Sequence, residues 1–218
     1  MRIEELFKQH DVETHPVVKF NTALPLDLGA QNEALSKVDL NNEASFDQFI
    51  FNQIASSGKD VGIGGYGEVR SLYSRSELFE GEEPRTIHLG IDIWSKAGTP
   101  VYCPFQGEVH SFANRNVHGD YGPVIILRHK LMDLEFHTLY GHLSKSSIEN
   151  LSVGQKISTG DQFAFMGTYE ENFHWPPHLH FQLIRNMQGY KGDYPGVCKS
   201  SGKEDYLTNC PDPSFFIY

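Results

Sequence analysis

Two hydrophobic periods divide the chain. Between Asn42 and Ile54, the residues Phe46, Phe49, Ile50 and Ile54 recur at spacings of three and four, the period of an amphipathic helix. Asn41 or Asn42 suits its N-cap and Ser56-Ser57-Gly58 its stop. From about residue 86 the period shortens to two, in brief runs punctuated by Gly, Pro, Asn and Asp. The runs Ile87–Ile93, Pro100–Cys103, Gly107–Phe112, Val124–His129, Leu134–His142, Phe163–Gly167 and His178–Ile184 read as strands, with a hairpin turn around Lys130–Asp133. Strands this closely spaced, with almost no helical pattern between them, predict a mainly β fold, an antiparallel β-sandwich or partly open barrel. Before them, the glycines at 62, 64, 65 and 67 mark a loop, and no Lys-Ser/Thr follows to make it a phosphate cradle. Three parts are therefore expected. Residues 1–84 form a small N-terminal extension with one helix, 85–188 the β domain, and 189–218 an irregular tail packed on it.

The alternation also sorts the chemistry. On a strand, His88 and Asp92 point to one side while Leu89, Ile91 and Ile93 point to the other. His178 and His180 likewise share a face opposite Leu179, Phe181 and Leu183, and Tyr140 and His142 are expected to share one opposite Leu139 and Leu143. An imidazole or carboxylate buried without a partner costs several kcal/mol, by rough estimate. Such groups therefore face water, each other or a cation, and three strands each carrying them on one side only suit a metal site on a rigid sheet, the alternative being a sheet with one wet face on which histidines happen to lie. On the same parity, His137 falls opposite His142 and is expected to be structural. His110, His118 and His129 have no motif around them.

Composition narrows the field. The formal net charge is −10 with no basic stripe, which argues against a nucleic-acid partner. No apolar run approaches the roughly 20 residues of a membrane span. The first ten residues do not resemble a secretory signal, so a cytoplasmic location is expected. The three cysteines form no C-x-x-C pair, and their odd number favours free thiols over a Cys198–Cys210 disulfide.

The ordered motifs H-x-x-x-D at His88–Asp92, Y-x-H-L at Tyr140–Leu143 and P-H-L-H-F at Pro177–Phe181 resemble those of the lysostaphin/LytM-type zinc metallopeptidases. So do the segments Ala97-Gly-Thr-Pro-Val101 and Val153-Gly-Gln-Lys-Ile157 between them. The resemblance runs from about residue 85 to 185. It implies a duplicated-hybrid-motif type of β fold and an endopeptidase that uses Zn2+. His88, Asp92 and His180 would be metal ligands, His142 and His178 catalytic residues, and the substrate a peptide or peptidoglycan fragment. Three protein ligands leave a fourth tetrahedral position for water, as catalytic zinc requires.

The chain departs from the family in places. Asn172-Phe-His-Trp-Pro-Pro177 replaces a small-residue stretch, and Gln182 stands where the family has Glu. A bulkier groove wall is expected, which weighs against a peptidoglycan cross-bridge. His174 is a candidate substrate contact or an ordinary loop histidine. Tyr66, Arg70 and Tyr73 are candidates to line the groove or to support it. The alternative function is a peptide- or glycan-binding module that keeps the fold without catalysis, although all five key positions are intact.

Overall fold

The computed structural model describes residues 3–75, 83–115, 117, 120–172 and 174–218. Its elements are α1 (Ile3–Gln9), β1 (Ala23–Leu26), α2 (Glu43–Ser57), β2 (Val61–Gly64), β3 (Ile87–His88), β4 (Ile91–Trp94), β5 (Pro100–Tyr102), β6 (Gly107–Arg115), β7 (Gly122–Leu131), β8 (Leu134–Gly141), α3 (Ser146–Glu149), β9 (Lys156–Ile157), β10 (Gln162–Phe165), β11 (His178–Ile184), β12 (Val197–Cys198) and α4 (Lys203–Asn209). The expected helix forms where its pattern lies. Asn42 caps it by accepting from the Ser45 N–H, and Gly58 ends it in the left-handed conformation.

An open sheet of eight strands runs β1-β2-β4-β11-β8-β7-β6-β9. It is antiparallel except for the parallel β1–β2 pair. A small β5–β10 sheet packs against one face, so the architecture is the expected mainly β, unclosed one. The N-terminal part contributes β1 and β2 to the main sheet. Here the glycine-rich stretch departs from the loop expectation. A Cβ on Gly62 would lie 2.4 Å from Leu26 Cδ1, and one on Gly64 2.7 Å from Arg70 Nη2. These glycines let other groups lie flat on a strand. Nor is the tail wholly irregular. β12 pairs with β3, and α4 sets Tyr206 and Leu207 against the core.

Alternation along each strand sorts the core into separate clusters. Odd positions of β11 and β4 (Leu179, Phe181, Leu183, Ile91, Ile93) join the main cluster with Phe7, Val101 and Phe216. The opposite face is covered in two places. Phe46, Ile50 and Ile54 of α2 pack there with Leu26, Trp94 and Trp175, and farther along the tail residues Tyr194 and Cys210 pack with Tyr121, Leu139 and Ile184. The seam between these two covers holds the polar side chains of β4 and β11. Among the described residues no helix is long and apolar enough to cross a membrane, and all three cysteines are free and buried.

Candidate metal centre

β11 pairs His180 with Asp92 of β4 on one side and with Gly141 of β8 on the other, so the imidazole and the carboxylate leave the sheet side by side. His88 arrives differently. The expected single strand Ile87–Ile93 is broken at Leu89-Gly90, and His88 belongs to β3, which pairs with β12. The break works because of Gly90. A Cβ there would meet Phe181 O at 2.6 Å and His180 Cε1 at 2.8 Å. One ligand atom from each of His88, Asp92 and His180 lies within 4.8 Å of the other two, and all three residues are buried.

The hydrogen bonds around these rings decide what they present to each other. His88 Nδ1 lies 2.9 Å from Gly65 O, which can only accept, so Nδ1 carries the proton. His180 Nε2 lies 2.9 Å from Gln182 Oε1. The Gln182 amide nitrogen is turned the other way, donating to Pro195 O and Cys210 Sγ. His180 therefore carries its proton on Nε2. The remaining nitrogens, His88 Nε2 and His180 Nδ1, face each other at 2.9 Å, with Asp92 Oδ1 at 3.2 and 3.1 Å from them. Three acceptors converge with no donor among them. Such a set is tolerable only around a proton or a cation, and two imidazoles with one carboxylate are a donor set suited to zinc. The outer contacts from Gly65 and Gln182 are of the kind that fix ligand tautomers at metal sites.

Asp92 has a second partner. Arg70 Nη1 donates to Asp92 Oδ2 at 2.5 Å, while Arg70 Nε binds Glu68 Oε2 at 2.7 Å. Burial alone would raise the Asp92 pKa, but His88 and Arg70 outweigh it and hold the carboxyl well below its usual range. Burial, reinforced by Arg70, lowers His88 to about 4.

His178 and His142 lie beside the triad, their ring centroids 4.0 Å apart and their planes tilted by 36°. Trp94 lies flat against His178, also at 4.0 Å. His178 Nδ1 donates to Pro176 O at 2.8 Å, leaving Nε2 with the lone pair. Burial lowers the pKa of both rings, His178 to about 4 and His142 well below its usual value, so both are neutral at pH 7. Tyr140 does not share this face. Its hydroxyl lies 2.9 Å from Thr138 Oγ1, and its ring packs in the main core. β8 ends at Gly141, and His142 adopts φ 61°, an uncommon conformation for a non-glycine that turns its ring onto the site side. His137 pairs with Ile184 and so lies on the sheet face of His180, not opposite it, but its ring meets His110 instead of the centre.

Of the other candidates, Arg70 and Tyr73 reach the site, whereas the Tyr66 hydroxyl points to Cys210 O and Leu207 O. His174 is exposed and packs on Tyr169. His129 is buried in the core, and His118 lies outside the described residues. Trp94, Gln182 and Gly90 escaped the sequence reading as parts of the site. Parity would have found the tryptophan, which stands two residues beyond Asp92.

Residues 86–191 match the profile of Peptidase family M23. A zinc-containing peptidase from Vibrio cholerae is 28% identical over 45% of this chain and 27% of its own length, with a TM-score of 0.37. The catalytic domain of lysostaphin from Staphylococcus simulans is 22% identical over 64% of this chain and 85% of its own, with a TM-score of 0.42. LytU is 26% identical over 64% of this chain and 86% of its own, with a TM-score of 0.38. No curated protein matches the chain.

Proposed function

We propose, from the match of residues 86–191 to peptidase family M23, that the chain is a zinc-dependent peptidase with His88, Asp92 and His180 as metal ligands and His142 and His178 as catalytic residues. The observation that carries the reading is the convergence of two imidazole lone pairs and a carboxylate oxygen at separations of 2.9–3.2 Å, with no donor of their own. Zinc held there supplies a Lewis acid that polarises the scissile carbonyl and acidifies water. The protein supplies the rest.

Gly65 and Gln182 keep the two ligand imidazoles in the tautomers that expose lone pairs. Arg70 occupies the outer oxygen of Asp92 and leaves the inner one to the cation. His178, tied at Nδ1 to Pro176, presents a bare Nε2 that can take the proton of the attacking water. His142, held over it by its left-handed backbone, is placed to stabilise the oxyanion or return a proton to the leaving amine. Substrates of this centre are peptides, including those of the peptidoglycan type. The β domain of 85–188 carries the ligands, and the flanking segments support it.

Elemental analysis and peptidase assays on four alanine variants test the proposal. His88→Ala and His180→Ala should lose the zinc. His142→Ala and His178→Ala should keep it and lose turnover. Unchanged zinc in His180→Ala would reject the ligand assignment.

A further inference from the structure

The hydrogen bond from His178 Nδ1 to Pro176 O, 2.8 Å long, holds the imidazole at one point. A bond at one nitrogen still lets the ring rock, because the last torsion of a histidine side chain is broad. Trp94 supplies the missing restraint. The register of β4 and β11 sets Trp94 directly opposite His178, the relation in which cross-strand side chains interact. The indole lies flat on the imidazole, with ring centroids 4.0 Å apart and planes 20° from parallel.

The indole is itself seated by the N-terminal extension. On its other side Trp94 pairs with Gly62 of β2, and Gly62 and the next residue on that face, Gly64, offer no side chain to crowd it. A Cβ at Gly64 would lie 3.3 Å from Trp94 Nε1, so the glycine leaves room for the edge of the ring. From above, Phe46 of α2 meets Trp94 at a steep angle, with centroids 6.0 Å apart and planes 63° apart. Both rings belong to the cluster that α2 covers, and the tryptophan is buried.

Hydrogen bonding by the indole does not account for its place. Among the described residues Trp94 Nε1 is a buried donor with no acceptor. That state costs about 1–3 kcal/mol, and buried tryptophans usually avoid it. An aliphatic side chain would serve the cluster without the penalty. What the indole adds is a wide flat face against His178.

We infer that Trp94 is a positioning residue for His178. Seated by α2 and β2, it holds the imidazole in one plane while Pro176 holds Nδ1, so that Nε2 keeps a single direction through the reaction. The inference rests on the peptidase reading above and deepens it, giving the N-terminal extension a part in the chemistry. Trp94 also lines the cavity over the centre, which the tail residues 194–197 wall in part. Contact of the indole with substrate would therefore show in KM, and positioning in kcat.

The test compares the full zinc-loaded chain with Trp94→Leu, Trp94→Phe and Phe46→Leu, zinc being measured in each. The substrate is a fluorogenic peptide chosen from a library because the parent cleaves it and His142→Ala does not. Trp94→Leu should keep the zinc and lose about ten- to a hundredfold in kcat with KM little changed, the scale of loss when a reacting group is misplaced by up to about an ångström. Trp94→Phe restores a flat face and should recover most of the rate. NMR gives a readout without turnover. The ring protons of His178, identified by their loss in His178→Ala, should be displaced by the indole ring current in the parent and return toward the ordinary histidine range in Trp94→Leu. Phe46→Leu keeps the indole but loosens its seat, so both readouts should move the same way by less, and it carries the test if Trp94→Leu does not fold. The inference falls, and the peptidase reading stands, if Trp94→Leu keeps the parent's kcat, loses only in KM, or loses no more than Trp94→Phe. It falls likewise if the His178 resonances do not move, or if Phe46→Leu matches the parent in both readouts. If no peptide in the library is cleaved in a His142-dependent way by a parent that holds zinc, both fall.

Discussion

Gly90→Ala is the sharpest test of how the centre is assembled, because one added methyl meets two different obstacles. The Cβ would lie 2.6 Å from Phe181 O, and 2.8 and 2.9 Å from Cε1 and Nε2 of His180. Ordinary contact begins at 3.4 Å, so the shortfall is about 0.8 Å against the carbonyl. That oxygen belongs to the backbone of β11, where Phe181 pairs with Ile91 on one side and Tyr140 on the other, so it cannot recede without opening the sheet. The imidazole is held at Nε2 by Gln182. Overpacking of this kind costs about 1–3 kcal/mol, and a rigid obstacle puts the cost in the upper half of that range. Some of the strain will be relieved by displacing His180, a proposed ligand whose orientation would set affinity, and disturbances of that sort cost about 10–100-fold in metal binding. Urea unfolding with zinc chelated should show a loss of about 2–3 kcal/mol. Competition against a chromophoric chelator should show zinc affinity down at least about tenfold. A variant with the parent's stability and the parent's zinc affinity would refute the packing account of the β3–β4 break.

Arg70→Met leaves Asp92 buried with an uncompensated charge. The metal-free protein should lose about 3–5 kcal/mol, the usual cost of removing one partner of a buried ion pair. Zinc should restore part of that by pairing with Asp92, so an equal loss with and without zinc in denaturant titrations would contradict the arrangement. The buried core histidine His129 gives a pH signature independent of the metal. Burial lowers its pKa to about 4, whereas the unfolded chain titrates near 6.5. The folded state therefore keeps it neutral while the unfolded state takes up a proton. Stability present above pH 6.5 is lost as pH falls toward 4, by about 2 kcal/mol at pH 5. In His129→Gln the dependence of unfolding free energy on pH should be shallower over that interval, and an unchanged slope would count against it.

Alternation located most of this centre because the two-residue period survives wherever a strand is unbroken. His178 and His180 share a face of β11, and the three leucine and phenylalanine positions between and beyond them fill the opposite core. The same reasoning misplaced His142 relative to Tyr140. A single residue at φ 61° reverses the facing of everything after it, and a histidine in that conformation leaves no compositional mark as a glycine would. In Ile87–Ile93 the mark was present: Gly90 interrupts an otherwise continuous run, and the chain breaks there to admit the His180 ring.

The supporting residues were harder to read for a different reason. A metal ligand must be one of a few residue types, so His88, Asp92 and His180 stand out as candidates. A support has only to offer a donor, an acceptor or a small volume at one point in space, and many residues can do that. Gly65 uses nothing but its carbonyl, and Gln182 is an acceptor to His180 and a donor to Pro195 at once. Arg70 meets a carboxylate 22 positions along the chain. This double duty explains why Gln182 is not simply a weakened version of the family's glutamate. A carboxylate there could still hold His180 Nε2, but it would set a buried negative charge against Pro195 O with no proton to offer. The tail that walls the cavity needs a donor at this position, and the ligand needs an acceptor. An amide supplies both, so the wall and the proposed metal centre are tied together through one side chain.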